Sequence, residues 1–175
     1  SGVVYTGKQL TTSSVGVVND VINISSSDTL TNLYVEATID GSTSNFLRYV
    51  SLSLQSPIGT VVNLVSGDQV TSGGLNQYSG TDIYATQFND EARVKINAGK
   101  APFVGPYKPS DTLKVLNGEI LNGDWTIYFN NKSSDSGTLD WKLFVNPATT
   151  IPHILISSSE GGRTTKRYSY FRGFF

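Results

Sequence analysis

The sequence predicts a single all-β domain, a β-sandwich or jelly roll, with an extension at each end. Three observations carry this. Short runs of β-branched and aromatic residues recur along the chain, several with apolar and polar residues alternating in steps of two. Clusters of Gly, Asn, Ser and Asp, residues that turn the backbone, separate these runs. No segment sustains the 3.6-residue period of a packed helix. At 175 residues the chain is long enough for one self-supporting core. It contains no cysteine, so disulfides and thiolate metal sites are excluded.

The first strand signal is Val15 to Ile24, which is β-branched with partial alternation. Leu33 to Ile39 alternates cleanly, with Leu33, Val35, Ala37 and Ile39 facing in and Tyr34, Glu36 and Thr38 facing out. Asp40-Gly41 then marks a turn. Tyr49 to Leu54 places Val50, Leu52 and Leu54 inward, and Thr60 to Val65 returns after Pro57-Ile58-Gly59, which reads as a hairpin. Residues 66–81 are rich in Gly, Ser and Thr and read as a surface loop. Ser110 to Leu116 allows one helical turn capped by Ser110. Trp125 to Phe129 and Trp141 to Val145 read as a second strand pair, joined through the polar stretch from Asn130 to Thr138. Ser1 to Ser14 is polar and reads as an N-terminal arm.

Charge divides the chain. Residues 1–147 hold 9 Lys/Arg and 13 Asp/Glu, a net of −4. Residues 148–175 hold Arg163, Lys166, Arg167 and Arg172 against Glu160, a net of +3. Such asymmetry points to a tail and a body with different partners. No apolar run approaches the ~18 residues of a membrane-spanning helix. No signal-peptide pattern is evident, and the chain opens Ser1-Gly2 without Met. Either a leader or only an initiator Met has been removed.

Three phrases stand in fixed order between Leu47 and Val145. The first is Ser53-Leu54-Gln55-Ser56-Pro57-Ile58-Gly59-Thr60. The second is Phe88-Asn89-Asp90-Glu91-Ala92, followed by Ala101-Pro102-Phe103-Val104-Gly105-Pro106-Tyr107-Lys108-Pro109. The third comprises Leu116-Asn117-Gly118, Asn122-Gly123-Asp124-Trp125-Thr126-Ile127 and Ser136-Gly137-Thr138-Leu139-Asp140-Trp141-Lys142-Leu143. Together they resemble the P domain (Homo B), the β-sandwich that follows the catalytic domain in subtilisin-like proprotein convertases. Here it would stand alone, without the protease domain. The resemblance implies three parts: residues 1–27 as arm and first strand, 28–147 as the P-domain-like sandwich, and 148–175 as a basic-aromatic extension. Family members often carry a His and a Gly-Asp-Leu step before the Ser-Pro-x-Gly-Thr hairpin. Here that region reads Gly41-Ser42-Thr43-Ser44-Asn45-Phe46-Leu47-Arg48-Tyr49.

No catalytic constellation emerges. His153 is the chain's single histidine, beside Pro152 and beyond the expected sandwich. No Gly-x-Ser-x-Gly elbow accompanies it. No feature selects a carboxylate pair for glycoside hydrolysis. Calcium is the one candidate ion, because hard cations take clustered oxygen ligands and bacterial P domains hold calcium near loops of this kind. The candidate ligands are Asp82, Asp90 and Glu91; Asp135 and Asp140, with Asn130 and Asn131, flank a second Gly loop. The simpler reading makes these solvated turn acids, with Asp90 in a local turn hydrogen bond. Trp125 and Trp141 read first as core residues and second as a sugar-stacking platform.

The tail from Arg163 to Phe175 interleaves cations with aromatics, five of them in its last eight residues. Arg167, Tyr168, Tyr170, Phe171, Arg172, Phe174 and Phe175 are the candidate partner-binding residues, since exposed Phe174-Phe175 needs a cover. The tail could add a strand to a partner's sheet edge, fold back on its own sandwich, or bind single-stranded nucleic acid, the least favoured option. The expectation is therefore a non-enzymatic structural subunit of a virion (decoration, fibre or tail part) or of an extracellular filament. It would be homo-oligomeric or part of a larger assembly, located in the virion or at the cell surface. The alternatives are an adhesin or glycan-binding module, and a P domain that stabilises a neighbouring protease.

Overall fold

Alternation fixes the strands. The computed structural model describes residues 2–66 and 80–148, with the backbone alone of 153–160 and 163–170. The strands are β1 Val3–Thr6, β2 Leu10–Thr12, β3 Gly16–Ile24, β4 Leu33–Gly41, β5 Val50–Gln55, β6 Val61–Val65, β7 Asp82–Phe88, β8 Gly105–Tyr107, β9 Gly123–Asn131, β10 Gly137–Val145, β11 His153–Glu160 and β12 Arg163–Tyr170. Among the described residues helix is confined to short 3-10 segments, at Phe46–Tyr49, Ile96–Ala98 and Leu113–Leu116. One sheet runs β1-β10-β4-β7-β8, with β2 also on β10, and the other runs β3-β9-β5-β6. The protein is thus all-β, two sheets packed as a sandwich. Leu33, Val35, Ala37 and Ile39 of β4 and Val50, Leu52 and Leu54 of β5 are buried, as their spacing predicts. β5 and β6 form the expected hairpin.

β9 and β10 do not form one. β9 pairs with β3 and β5, whereas β10 pairs with β4 and the N-terminal strands, so the two lie in opposite sheets. Trp125, Ile127 and Phe129 thereby face Leu139, Trp141 and Leu143 across the core rather than lying side by side in one ladder. Asn131 makes the corner. Fully buried, it donates through Nδ2 to the Asp135 carbonyl at 2.8 Å and accepts at Oδ1 from the N–H and hydroxyl of Ser133. A side chain that satisfies the loop's own backbone removes the need for a hairpin ladder there. Phe46 plugs the same end: a Cβ on Gly41 or Gly137 would lie 2.7 or 2.6 Å from its ring.

The N-terminal segment, expected as an arm, runs along the sandwich. β1 and β2 line the same edge of β10, with Thr6 opposite Lys142 and Leu10 opposite Leu139. Three residues, 7–9, thus stand opposite two, a bulge that bends the edge over Trp141. The Gly7 N–H donates to the Trp141 carbonyl at 3.0 Å. A Cβ on Gly7 would come within 2.0 Å of the indole nitrogen. Asp20 Oδ2, on β3, accepts both the Trp141 indole N–H at 2.8 Å and the Lys8 N–H at 2.7 Å. One carboxylate therefore ties both sheets and the edge strand together. At the other end of the edge, Asn146 fixes the exit from β10, its Oδ1 accepting from Thr31 N–H at 2.7 Å and its Nδ2 donating to the Thr29 carbonyl.

The helical turn is capped by Thr112 rather than Ser110, the Thr112 hydroxyl accepting from the Lys114 N–H. Ser110 instead donates its N–H to the Leu64 carbonyl, beside β6. The expected loop at 66–81 lies for the most part outside the described residues.

Gly7→Ala should lower unfolding free energy by about 1–3 kcal/mol, because the added methyl enters the indole's space. Urea denaturation followed by Trp fluorescence measures it. An unchanged midpoint would mean that the edge strand does not press on Trp141.

Candidate functional site

The C-terminal extension forms a β-ribbon. β11 and β12 pair antiparallel, from His153 opposite Tyr170 to Glu160 opposite Arg163, as a two-stranded sheet separate from both sandwich sheets. Tyr168 stands opposite Leu155, and Arg167 opposite Ile156. Of the candidate partner-binding residues, Arg167, Tyr168 and Tyr170 thus lie on β12, while Phe171, Arg172, Phe174 and Phe175 lie outside the described residues. The sequence reading anticipated an extended tail but not its pairing. The signal was present in Ile154-Leu155-Ile156 and in Gly161-Gly162 between two β-rich runs, a spacing that favours a two-residue hairpin turn.

The acidic candidates do not converge. Asp82 opens β7 and Asp90 lies two residues beyond its end, so at ~3.3 Å per residue the strand separates them by roughly 20 Å. Asp82 stands in register opposite Asp40, and its Oδ1 accepts from the Gly41 N–H at 3.1 Å. Asp90 holds the 3-10 turn: Oδ1 accepts from Leu113 N–H at 2.9 Å, and Oδ2 from Thr112 Oγ1 at 2.7 Å and Lys114 N–H at 2.9 Å. Glu91 faces Lys114 Nζ at 3.8 Å, an exposed pair of small energetic weight. In the second loop Asp135 accepts from Thr43 Oγ1 and Asp140 from Gln9 Nε2. Among the described residues no group of three His, Cys, Asp or Glu gathers as a metal set. Asp90 is thus spent on a turn distant in sequence, not on the local turn hydrogen bond that the simpler reading expected.

Both tryptophans are core residues, buried to within 2%. Trp125 donates its indole N–H to the Leu121 carbonyl at 2.9 Å. Neither ring offers a face to a sugar. His153 begins β11.

A feature the sequence reading missed lies on the outer face of the six-stranded sheet. There a cleft of about 380 Å³ is lined by Thr6, Glu36, Thr38, Tyr84, Asp140 and Lys142, among others. At its Tyr84 side β7 slips by one residue against β4. Ala85 takes the left-handed region at φ 45, uncommon for a residue with a Cβ. Its N–H donates to Thr38 Oγ1 at 2.9 Å, and the Tyr84 N–H to the Pro102 carbonyl at 2.8 Å. The slip leaves Tyr84 63% exposed beside the Glu36–Lys142 ion pair, which spans 4.0 Å. Along the same face Tyr34 stacks on Phe144 at 4.4 Å, and burial, then the Glu36 carboxylate, raises its phenol above the ordinary 10.0. A register slip of this kind is set by neighbouring strands and leaves no local pattern.

No family model and no curated protein matches the chain. Among solved structures it is similar to the serine protease of Aeromonas sobria, at 15% identity over 83% of this chain and 27% of that one, with a TM-score of 0.41. It is equally similar to that protease in complex with its chaperone, at 16% identity, the same coverage and a TM-score of 0.41. The chain spans about a quarter of the length of those proteins. A likeness of this depth identifies no activity, substrate or partner for this chain.

Asp90→Ala should cost about 1–2 kcal/mol, since it removes the carboxylate that accepts from Thr112 Oγ1, Leu113 N–H and Lys114 N–H. Chemical unfolding with and without added calcium reads both roles. A loss of stability that is the same in both conditions assigns Asp90 to the turn. A stabilisation by calcium that vanishes in the variant restores the metal reading.

Proposed function

We propose that this chain is a non-catalytic assembly subunit whose P-domain-like sandwich is the body and whose C-terminal ribbon is the docking arm. The observation that carries the reading is the ribbon itself, a two-stranded sheet of its own joined to neither sandwich sheet. A lone hairpin is marginally stable in water at best, and three or more strands or a packed face are needed for independent stability. The apolar content of Ile154, Leu155, Ile156, Tyr168 and Tyr170 in the ribbon's sequence, with Phe171, Phe174 and Phe175 after it, supplies side chains for a partner to bury. Each such side chain contributes ~1.5–3 kcal/mol on full burial, so two or three of them suffice for a specific contact. The fitting context is a virion component (decoration, fibre or tail part) or an extracellular filament, with other copies or other subunits as partners.

The cleft at Tyr84 supports a second reading, glycan binding. An exposed ring beside a carboxylate, an ammonium and hydroxyls presents the stacking and polar groups a sugar takes. That reading moves the candidate platform from the buried tryptophans to Tyr84.

Two measurements separate the readings. Full-length protein should associate as concentration rises in light scattering, while a chain ending at Pro147 stays monomeric with a nearly unchanged melting temperature. Folded monomers in both cases would remove the docking reading. On a glycan array, the loss of a specific signal in Tyr84→Ala with the fold retained would favour the second reading, and no signal from the parent protein would dismiss it.

A further inference from the structure

We propose that the outer edge of β3 accepts β12 of a neighbouring copy, so that chains join head to tail by strand addition. This rests on the docking reading above and names the surface that receives the ribbon.

β3 is nine residues long and forms one edge of the four-stranded sheet, with β9 on its inner side. Among the described residues no backbone group bonds to its other side. The far edge of the same sheet is treated differently. There β6 is covered, as Ser110 and Asp111 donate their N–H groups to the carbonyls of Leu64 and Asn63, and the Asp111 carboxylate takes the Asn63 N–H. An uncovered edge is a template for another strand, and proteins blunt such edges with lysine, proline or a bulge. β3 contains no Lys, Arg or Pro, and its register on β9 is unbroken from Gly16 to Ile24; its one charge, Asp20, lies on the face of Ile22 and Ile24 and is held by the Trp141 indole and the Lys8 N–H. Its outward positions carry Val17 and Val21, 57% and 44% exposed, with Val15 just ahead at 67%.

The ribbon is the fitting occupant. β12 is eight residues long and, among the described residues, pairs on one side only, with β11. β3 and β9 carry Asp20 and Asp124 and no cation, whereas β12 carries Arg163, Lys166 and Arg167 and no acid. The hydrogen bonds to Asp20 come from two neutral N–H groups, so its charge is not neutralised by a cation there. Opposite potentials favour and orient the encounter. A second copy's β3 fits worse, since full antiparallel overlap sets Asp20 against Asp20 and like charges directly opposite are destabilising. Because donor and acceptor lie on different parts of one chain, the contact repeats into a ring or a filament.

The test mixes two defective chains. The first is full length with Val17→Lys and Val21→Lys, which keeps the ribbon and spoils the edge. The second ends at Pro147, which keeps the edge and lacks the ribbon; among the described residues the buried core runs from Ile22 to Val145, with Tyr5, Leu10 and Val18 packed against it. Each should be monomeric alone by size exclusion with light scattering, and an equimolar mixture should give a one-to-one dimer and nothing larger. If the lysine pair disturbs folding, as melting would reveal, Val17→Thr with Val21→Thr replaces it and should weaken assembly of the full chain about tenfold. Dimers of the ribbonless chain alone would point to paired β3 edges and overturn the proposal. Undiminished assembly of the folded edge variant, or no dimer in the mixture, would also overturn it while leaving ribbon docking intact. A parent chain that never associates would remove both.

Discussion

The packing of two alternating apolar faces against each other holds the architecture. β4 and β10 in one sheet turn Val35, Ile39, Leu139 and Leu143 toward Leu52, Leu54, Ile127 and Phe129 of β5 and β9 in the other. None of these strands has a second apolar face, so each needs the opposite sheet to bury its own. The rest of the structure closes the open ends of this layer. Phe46 fills one end, where Gly41 and Gly137 leave room for its ring. Trp141 reaches the open side and is covered at Gly7, with Asp20 holding its indole N–H.

The two sides of the sandwich are finished differently. Loops cover the side at β6, and polar side chains such as Asp111 and Asp90 satisfy the backbone there. The side formed by β1, β2 and β3 carries exposed valines at 3, 4, 15, 17 and 21. A sandwich needs closed edges to remain solitary, and leaving one side open suits a subunit that meets others. The body's net negative charge and the extension's net positive charge act in the same direction. The outer face with Tyr84 is more polar, and its cleft borders a backbone slip between β4 and β7.

Strand identity was legible wherever one face is buried, because period-two alternation reports burial directly. β4 and β5 were readable residue by residue for that reason. Pairing was less legible. Trp125 to Phe129 and Trp141 to Val145 carry the same local signal whether they share a ladder or face each other. What decides is Asn131, whose side chain turns the chain between sheets. The N-terminal strands were hidden because β1 and β2 are edge strands, where exposed and half-exposed positions break alternation. The role of Asp90 was not legible: a local turn hydrogen bond was expected, whereas its partners lie at 112–114, beyond local sequence. The ribbon's Gly-Gly step was in plain view and was outweighed by the charge and aromatic content of the segment that follows it.

The pairing of Val3 with Val145 and of Ile24 with Gly123 has a consequence for synthesis. On a ribosome the first strands emerge long before their partners exist. β3 must wait for β9, and β1 for β10, so the valine-rich N-terminal stretch travels unpaired through most of translation. Such non-local topologies fold slowly and expose sticky segments meanwhile. β12, the strand with the cations and tyrosines, follows every strand of the body in sequence, so a nascent chain can complete its body before β12 emerges. Under the docking proposal, the order of the sequence itself postpones capture between neighbouring nascent chains.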